Sequence, residues 1–262
     1  MSTTTSNFRL AGRDGRTGRT LRPRTSFRHR RFAVGAAVLL AGVAALTAPA
    51  ASAQTAAIPV PECNGFTQAQ AAALGYDIFV GNGTAEVLGN LDAVPDWTMG
   101  NGGADTITGS NDGDMLCGGA GADIINALDG VDAAFGDKGA DTIDLGPGLS
   151  DYAEGGEDAD TVLGGAGPDT IFGDDQPGVL PSTNGRDILE GGAGEDQLYG
   201  GPLADDLFGN GEADLLFGDD GPDVLDGGQG VDELTGGAQQ DTGFGGPGID
   251  AVCDVETVFT CP

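Results

Sequence analysis

The chain has 262 residues, of which 49 are glycine and 41 are acidic, against only 11 lysines and arginines, and its formal net charge is −30. This charge excludes binding to nucleic acid or anionic lipid through phosphate contacts, and it indicates that cations are the partners. The only histidine is His29, so the rest of the chain holds no imidazole for general-base catalysis or zinc binding.

The first segment has the layout of a secretory signal peptide. Nine arginines between Arg9 and Arg31 precede an apolar run from Phe32 to Leu46, and a small-residue cleavage site follows at Ala51-Ser52-Ala53. A membrane anchor is the alternative, but the apolar run is shorter than the roughly 20 residues that cross a bilayer. We therefore expect residues 1–53 to be cleaved and the mature protein to be secreted, extracellular and without a membrane span. Its formal charge would then be −38.

Residues 54–99 are expected to form an N-terminal cap. They contain a helix candidate, Thr67 to Leu74, and a degenerate repeat that starts at Gly81 and has Glu86 where later repeats have aspartate. A cap is needed because the open end of a solenoid exposes unpaired strand edges.

A nine-residue repeat dominates residues 100–253. Its clearest copies read GGAGADIIN from Gly118, GGAGPDTIF from Gly164, GGAGEDQLY from Gly191 and GGQGVDELT from Gly227. Position eight is apolar in the copies, except at Gly243. Position six holds aspartate at Asp105, Asp114, Asp123, Asp132, Asp141, Asp151, Asp160, Asp169, Asp187, Asp196, Asp205, Asp214, Asp223, Asp232, Asp241 and Asp250. A merely solubilising acidic surface would show no such period.

The period predicts an all-β fold, a right-handed parallel β-roll. A three-residue strand with its central side chain inward would alternate with a six-residue Gly/Asp turn. Two repeats then form one coil that rises by about 4.8 Å, and alternate strands stack into two parallel sheets. Glycines at fixed turn positions exclude a helix.

The turns are predicted to bind Ca²⁺. Glycine at positions one, two and four allows positive φ and inward carbonyl oxygens, and the aspartate adds a carboxylate. The turn two repeats later would complete six oxygens around one ion, and oxygen ligands favour a hard cation. The predicted ligands are the position-six aspartates other than Asp151, with turn glycines Gly118, Gly119, Gly121, Gly164, Gly165, Gly167, Gly191, Gly192, Gly194, Gly227, Gly228 and Gly230. Because the core side chains are small, we expect the chain to fold only with calcium.

These columns resemble the RTX, or haemolysin-type, calcium-binding repeat family, whose pattern is G-G-x-G-x-D-x-apolar-x. The segments Asp187 to Asp205 and Asp223 to Asp241 also resemble the longer signature D-x-L-x₄-G-x-D-x-L-x-G-G-x₃-D. The resemblance implies a parallel β-roll with several Ca²⁺ ions in its turns. Family members often attach the roll to a protease, lipase or cyclase domain, and this chain shows no such domain.

No catalytic activity is expected, because the G-x-S-x-G, H-E-x-x-H and P-loop patterns are absent from the sequence. Two roles stay open. The first is a structural or adhesive extracellular module, and the second is an accessory roll of a secreted enzyme or toxin system whose activity lies on a partner chain.

Three repeats depart from the pattern, and weak or empty sites are expected beside them. Ala127 to Phe135 lacks its first two glycines, and Gly146 to Glu154 is irregular, with Ser150 before Asp151. Gly173 to Glu190 is 18 residues long, so it holds either two repeats or one repeat with an insertion. Its length, twice nine, favours two repeats.

The four cysteines form an even set, which in an exported chain favours disulfides and allows three connectivities. Closeness along the chain favours Cys63 with Cys117 and Cys253 with Cys261, so that each bond ties a cap to a terminal coil. Residues 254–262 would be the C-terminal cap. Cys117 and Cys253 occupy position nine, so both are expected to point outward and to be reachable.

Position nine is rich in aromatic residues, namely Phe135, Phe172, Tyr199, Phe208, Phe217 and Phe244. If residues 173–190 are two repeats, one sheet presents Phe135, Phe172, Phe208 and Phe244 in alternation with acidic residues. The rings could cover neighbouring glycine turns. They could also form a docking face for a protein, a glycan or a second roll.

Overall fold

The computed structural model describes residues 62–89, 92, 94–174, 184–248, 250, 252–254 and 257–260. The expected signal peptide, residues 1–53, and Cys261 lie outside these ranges. In the described ranges, no helix is both long enough and apolar enough to cross a membrane.

The N-terminal segment folds as a hairpin followed by a short helix. Strands β1 (Glu62–Cys63) and β2 (Phe66–Thr67) pair antiparallel, and α1 (Gln68–Leu74) follows. Thr67 is the N-cap of α1, because its side chain accepts the backbone N–H of Gln70 while the Gln70 side chain accepts the N–H of Thr67. Gly75 ends the helix with φ of 90°. The predicted helix is therefore confirmed, with Thr67 as its cap.

The rest of the described chain forms two parallel ten-stranded sheets, and successive strands alternate between them. The first sheet contains β3 (Asp77–Val80), β5 (Asp96–Met99), β7 (Met115–Ala120), β9 (Ala133–Lys138), β11 (Tyr152–Glu157), β13 (Thr170–Phe172), β15 (Gln197–Pro202), β17 (Leu215–Asp220), β19 (Glu233–Ala238) and β21 (Val252–Asp254). The second sheet contains β4 (Val87–Gly89), β6 (Thr106–Thr108), β8 (Ile124–Asn126), β10 (Thr142–Asp144), β12 (Thr161–Ala166), β14 (Ile188–Ala193), β16 (Asp206–Gly211), β18 (Val224–Asp226), β20 (Thr242–Phe244) and β22 (Thr257–Thr260).

This topology is a parallel β-solenoid of about nine turns, which confirms the predicted fold class. In the regular part, paired residues are 18 positions apart, as in Leu198 with Leu216 and Leu207 with Leu225. One coil therefore contains two repeats. The sheets begin at β3 and β4, so the degenerate repeat around Glu86 is already part of the stack.

The core lies between the two sheets and is built from position eight. Every position-eight residue from Ile107 to Leu234 is buried in one apolar cluster. Ala127 and Leu145, which stand at position one where most repeats have glycine, join that cluster. These two side chains add apolar volume where the glycine pattern fails.

Many strands are longer than the expected three residues. Strands such as β7 and β17 run six residues, because positions one to three of the turn also pair with the next coil, as Gly119 does with Asp137. Turns of equal length stack in register, so their backbone N–H and carbonyl groups reach one another.

The structure corrects the interpretation of residues 173–190. Leu163 pairs with Glu190, and Asp160 donates its N–H to Asp187, 27 residues later, where a regular coil has 18. The segment therefore supplies one half-coil, and it is one repeat with an insertion of nine residues. Outside residues 175–183 the repeat reads GD…NGRDILE, with Gly173 at position one and Gly185 at position four.

The register also corrects the position of Cys253. Asp250 still aligns with Asp232, 18 residues earlier, but Cys253 pairs with Leu234, a position-eight residue. Cys253 is thus one place out of the position-nine column to which the repeat assigned it.

Candidate metal centre

The position-six carboxylates form two rows, one for each set of alternate repeats. The Oδ1 atom of each column aspartate accepts the backbone N–H of the acidic residue one coil earlier. Examples are Asp187 N–H to Asp205 and Asp205 N–H to Asp223, both at 2.9 Å from nitrogen to oxygen. One row begins at Glu86, whose N–H donates to Asp105, and the other begins at Asp96. Half of each carboxylate is therefore used to link the coils.

The second carboxylate oxygen is buried and accepts no hydrogen bond from the described protein atoms in most turns. This holds for Oδ2 of Asp105, Asp123, Asp132, Asp141, Asp151, Asp160, Asp169, Asp187, Asp196, Asp205, Asp214, Asp223, Asp232 and Asp250. Burying a carboxylate oxygen without a compensating partner is costly, so a repeated orphan of this kind is suited to be the ligand of a cation.

In the regular repeats, the space beside the orphan oxygen depends on glycine at position one. A methyl group on Gly118 would lie 2.4 Å from Oδ2 of Asp123 and 2.9 Å from the carbonyl oxygen of Gly136. A methyl group on Gly218 would meet Oδ2 of Asp223 at 2.4 Å and the Gly236 carbonyl oxygen at 2.6 Å. A carboxylate oxygen and a carbonyl oxygen of the next coil thus line the same small space.

Burial raises the pKa of column carboxyl groups such as Asp141 and Asp160, and neighbouring carboxylates raise it further. Burial first, and then the charges of Asp187 and Asp141, raise the pKa of Asp160 to about 9. The pKa values of Asp132, Asp141 and Asp187 rise to about 8, again chiefly through burial. A bound divalent cation would favour the charged form and oppose this effect.

The donor set of the turns fits a hard cation. Within the described residues, no three His, Cys, Asp or Glu side chains converge on one point, since each turn contributes a single column carboxylate. Backbone carbonyl oxygens must therefore complete any site. Carboxylate and carbonyl oxygens are the ligands that Ca²⁺ takes, and they do not suit copper or zinc.

Two of the first turns, those of Glu86 and Asp114, contain hydrogen-bond donors for their own carboxylates. The backbone N–H of Ser110 donates to Oδ2 of Asp114 at 2.5 Å, and its hydroxyl donates to Oδ1 at 3.0 Å. The N–H of Asn82 donates to Glu86 in the same way, at 2.7 Å. These two carboxylates are hydrogen-bonded at both oxygens, so their turns hold together with less need for a metal.

The sequence interpretation missed Asp96. It lies nine residues before Asp105, is fully buried, and donates its N–H to Asp114 at 2.6 Å. The nine-residue spacing was the available signal, but the preceding turn lacks the glycines of the pattern.

The turn at Ala127 shows what the glycines do. Leu128 occupies position two with φ of 77°, in the region where Gly119 and Gly165 have φ of 102° and 98°. The stack of coils imposes this conformation on a leucine at a cost of about 1–2 kcal/mol. We expect the site beside Asp132 to be weaker for that reason.

The aromatic residues of position nine do not form one column. Phe135 and Phe172 lie on the first sheet, whereas Phe208 and Phe244 lie on the second, because residues 173–190 make only one half-coil. On the first sheet the rings form a continuous stack, in which Tyr199 is 4.7 Å from Phe172 and 4.9 Å from Phe217 between ring centroids. The single aromatic column that would follow from two repeats at residues 173–190 is therefore wrong.

The structure brings Cys63 and Cys117 together with 5.7 Å between their Cα atoms, a separation suited to a disulfide. Both residues are fully buried, in a cluster with Ala71, Trp97 and Met99. Cys117 lies outside the core cluster of the roll as expected, but it is packed with Cys63 and Ala71 of the N-terminal segment and is fully buried, so it is not reachable from solvent.

A parallel β-roll with oxygen-lined turns is the class of protein that this geometry defines. The model of the RTX calcium-binding nonapeptide repeat matches residues 96–125, 118–148, 150–176, 182–216, 208–243 and 217–252. These matches cover more than half of the chain, and the protein belongs to this repeat family. No curated protein matches the chain.

Proposed function

We propose that this protein is an exported module that binds several Ca²⁺ ions in its turns and folds as it binds them. The observation that carries the proposal is the buried Oδ2 atom repeated in turn after turn, beside a carbonyl oxygen of the next coil. The position-six aspartates would supply the charged ligands, and the turn backbone would supply the neutral ones.

The coupling of folding to calcium follows from charge. Column carboxylates such as Asp187 and Asp205 are stacked one coil apart, and without metal each must either repel its neighbours or take up a proton. Bound Ca²⁺ removes that penalty only in the folded roll, because the unfolded chain does not hold the ligands together. Its binding free energy therefore becomes folding free energy.

Export supports the same function, and RTX repeat proteins are commonly secreted. Free calcium is abundant outside the cell, so a chain that leaves unfolded would fold at its destination. The expected signal peptide supplies the route. We propose that Cys63 and Cys117 become a disulfide there, joining the N-terminal cap to β7. Peptide mapping without reduction should find this bond, and a different partner for Cys63 would contradict it.

The role we propose for the folded roll is structural or adhesive. The sequence contains none of the enzymatic patterns named above, and the feature that recurs throughout residues 100–253 is the Gly/Asp turn. A rigid calcium-loaded rod can present its two sheet faces to a partner.

The test is a calcium titration of the mature chain followed jointly by calorimetry and far-ultraviolet circular dichroism. We expect several ions to bind per chain, and β-structure to appear over the same calcium range. Mg²⁺ at equal concentration is the control, and it should not substitute, because it requires a smaller and stricter octahedral site. A circular dichroism spectrum that is the same in chelator and in calcium would contradict the proposal.

A further inference from the structure

The second sheet carries an open cavity of about 440 Å³ near its C-terminal end. Three consecutive position-nine residues line it, since Phe208 pairs with Asp226 and Asp226 pairs with Phe244. The side chains of Asn210 and Gln229 are also part of its lining. The cavity thus has an aromatic ring at each end and a carboxylate between them.

The spacing of the two rings follows from the sheet. Phe208 and Phe244 are two strands apart, which places them roughly 9.6 Å apart along the stack. A group held at the level of Asp226 would lie about 4.8 Å from each ring, within the roughly 6 Å over which a cation interacts with an aromatic face.

The first sheet contains the same pattern with the gap filled. Phe135, Glu154 and Phe172 occupy position nine on three consecutive coils. There the ring of Tyr152 lies between the two phenylalanines, 5.8 Å from each between centroids, and its hydroxyl donates to Glu154. A flat group that donates a hydrogen bond to the acid is therefore what this arrangement accommodates.

On the second sheet, the described residue that takes the place of Tyr152 leaves the gap open. Tyr152 stands at position seven, two residues before Glu154, and the residue at the same place before Asp226 is Val224. A valine side chain is too short to reach between the two rings.

We propose that the Phe208–Asp226–Phe244 cavity binds a guanidinium group, presented as an arginine side chain by a partner polypeptide. Guanidinium is planar, weakly hydrated and rich in N–H donors, so it stacks on aromatic faces and pairs with a carboxylate. The amide oxygens of Asn210 and Gln229 can accept further N–H groups. Calcium suits the site less well, because the rings offer it no lone pairs.

Charge complementarity argues that the occupant comes from another chain. Beyond residue 53 the sequence has two cationic side chains, Lys138 and Arg186. The structure pairs Lys138 with Glu157 and Arg186 with Asp206. The strongly negative field of the roll would attract a basic partner over a distance, and the cavity would select the arginine.

The test uses saturation-transfer NMR on the calcium-loaded chain, which detects weak ligands. The probes are an acetylated, amidated Gly-Gly-Arg-Gly-Gly peptide and its citrulline counterpart, which has the same shape without the charge. We expect saturation transfer to the arginine side chain that is several-fold greater than transfer to citrulline. Nα-acetyl-arginine amide, as a third probe, shows whether the arginine side chain binds as well without the flanking glycine residues of the peptide.

Variants decide whether this cavity is the site. Asp226→Asn and Val224→Tyr, which fills the gap as Tyr152 does, should each reduce the arginine signal by about tenfold, a loss that corresponds to one charge-assisted contact. Asp144→Asn is the matched control, because it removes the same charge from position nine of the same sheet, where Asn126 and Leu163 are the neighbours.

The calcium-induced circular dichroism of each variant must equal that of the unmodified chain before the signals are compared. Selective loss in Asp226→Asn and Val224→Tyr, with Asp144→Asn unchanged, supports the proposal. Equal loss in Asp144→Asn and Asp226→Asn, an unchanged signal in Val224→Tyr, or equal transfer to citrulline would each overturn it.

Discussion

At the scale of single residues, the two oxygens of a column aspartate have different tasks. In Asp205, Oδ1 accepts the N–H of Asp187, whereas Oδ2 faces the turn without a hydrogen bond. The first oxygen links two coils wherever they are folded. Burial of the second oxygen is favourable only when a cation binds it, and this makes the turn sensitive to calcium.

Replacing Asp205 by asparagine should therefore impair calcium binding more than the structure of the coil. Asparagine keeps an oxygen for the Asp187 N–H but loses the charge, and a charged contact contributes about 1.5–3 kcal/mol. We expect the calcium midpoint for folding to rise by about tenfold or more, measured by circular dichroism. Asp220→Asn removes the same charge from an exposed turn position and should leave the midpoint nearly unchanged. Equal shifts in the two variants would indicate only a general charge effect.

Glycine at position one is needed for space. Gly218 does not have positive φ, yet an added methyl group would lie 2.4 Å from Oδ2 of Asp223. We predict that Gly218→Ala costs about 1–3 kcal/mol through overpacking and raises the calcium midpoint accordingly. The control is Gly211→Ala, whose methyl group would come no closer than 3.4 Å to the Gly192 carbonyl oxygen. Comparable midpoints for both variants in the same titration would contradict this explanation.

At the scale of elements, the insertion in the repeat after β13 is separable from the roll. Asp160 and Asp187 bond directly although 27 residues separate them. A methyl group on Gly173 would lie 2.4 Å from Oδ2 of Asp187, which is the relation that a position-one glycine has to its own aspartate elsewhere. The nine residues 175–183 interrupt a repeat whose two parts already meet.

Deleting residues 175–183 should therefore leave a regular nonapeptide, GDNGRDILE, and a folded roll. We expect the calcium midpoint of the deletion variant to stay within about twofold of the parent, because loop length affects stability only weakly. Deletion of nine residues from a regular repeat, such as Gly209 to Phe217, is the control, since it removes a half-coil and exchanges the sheets of all later strands. A large shift on deleting residues 175–183 would show that the insertion supports the coil.

We expect the N-terminal end of the roll to depend less on metal than the regular coils do. Trp97, Met99 and Cys117 pack with the cap, and Ser110 hydrogen-bonds both oxygens of Asp114. The large apolar side chains of this cluster contribute more burial energy than the small side chains of the regular coils.

Trp97, the only tryptophan, reports on this end alone. In chelator we expect its fluorescence to stay blue-shifted while most of the β-signal in circular dichroism is lost. The variant Cys63→Ser with Cys117→Ser should abolish that difference if the proposed disulfide holds the cap, because closing a loop of 54 residues stabilises it by roughly 4 kcal/mol. Loss of both signals at the same calcium concentration in the parent chain would refute an independent N-terminal end.

At the scale of the whole molecule, the rows of carboxylates make stability depend on pH in opposite ways with and without calcium. In the folded, metal-free roll the carboxyl pKa values are raised, chiefly by burial, to about 6 for Asp151 and up to about 9 for Asp160. The folded state therefore binds protons more tightly than the unfolded chain, whose aspartate pKa is about 4. The stability that the folded roll gains from this tighter proton binding is present in full below about pH 4. It is lost as the pH rises through the raised pKa values of about 6 to 9.

We predict that the calcium-free chain, prepared by chelation and dialysis, has more β-structure at pH 5 than at pH 8. With calcium the order reverses, because protons compete with Ca²⁺ for the same oxygens, so the calcium midpoint should be higher at pH 5 than at pH 8. Circular dichroism at both pH values, over one calcium series, measures both effects. More β-structure at pH 8 than at pH 5 in the calcium-free chain would contradict the raised pKa values.

Much of this architecture follows from the nine-residue period. With a period of nine, residues at the same position of successive repeats occupy the same place in successive half-coils. The aspartates at position six, such as Asp196, and the apolar residues at position eight, such as Leu198, therefore predict rows of carboxylates and an apolar core. The structure has both. The sequence also predicts the degenerate repeat, because Glu86 lies at the aspartate position. Its backbone N–H donates to Oδ1 of Asp105, as the N–H of a column aspartate does.

What the period could not decide is the number of coils between two points of the chain. The number of coils is given by which strands pair in the sheets. The pairing of β12 with β14 and the closeness of Gly173 to Asp187 show that residues 173–174 and 184–190 together form one repeat. That choice separated Phe172 from Phe208 and placed them on different sheets. Side-chain contacts across coils, such as those of Tyr152 with Phe135 and Phe172, likewise depend on neighbours some 18 residues away. The nine-residue repeat therefore determined the kind of coil and its calcium-type turns, whereas only the stacking of coils decided which side chains meet.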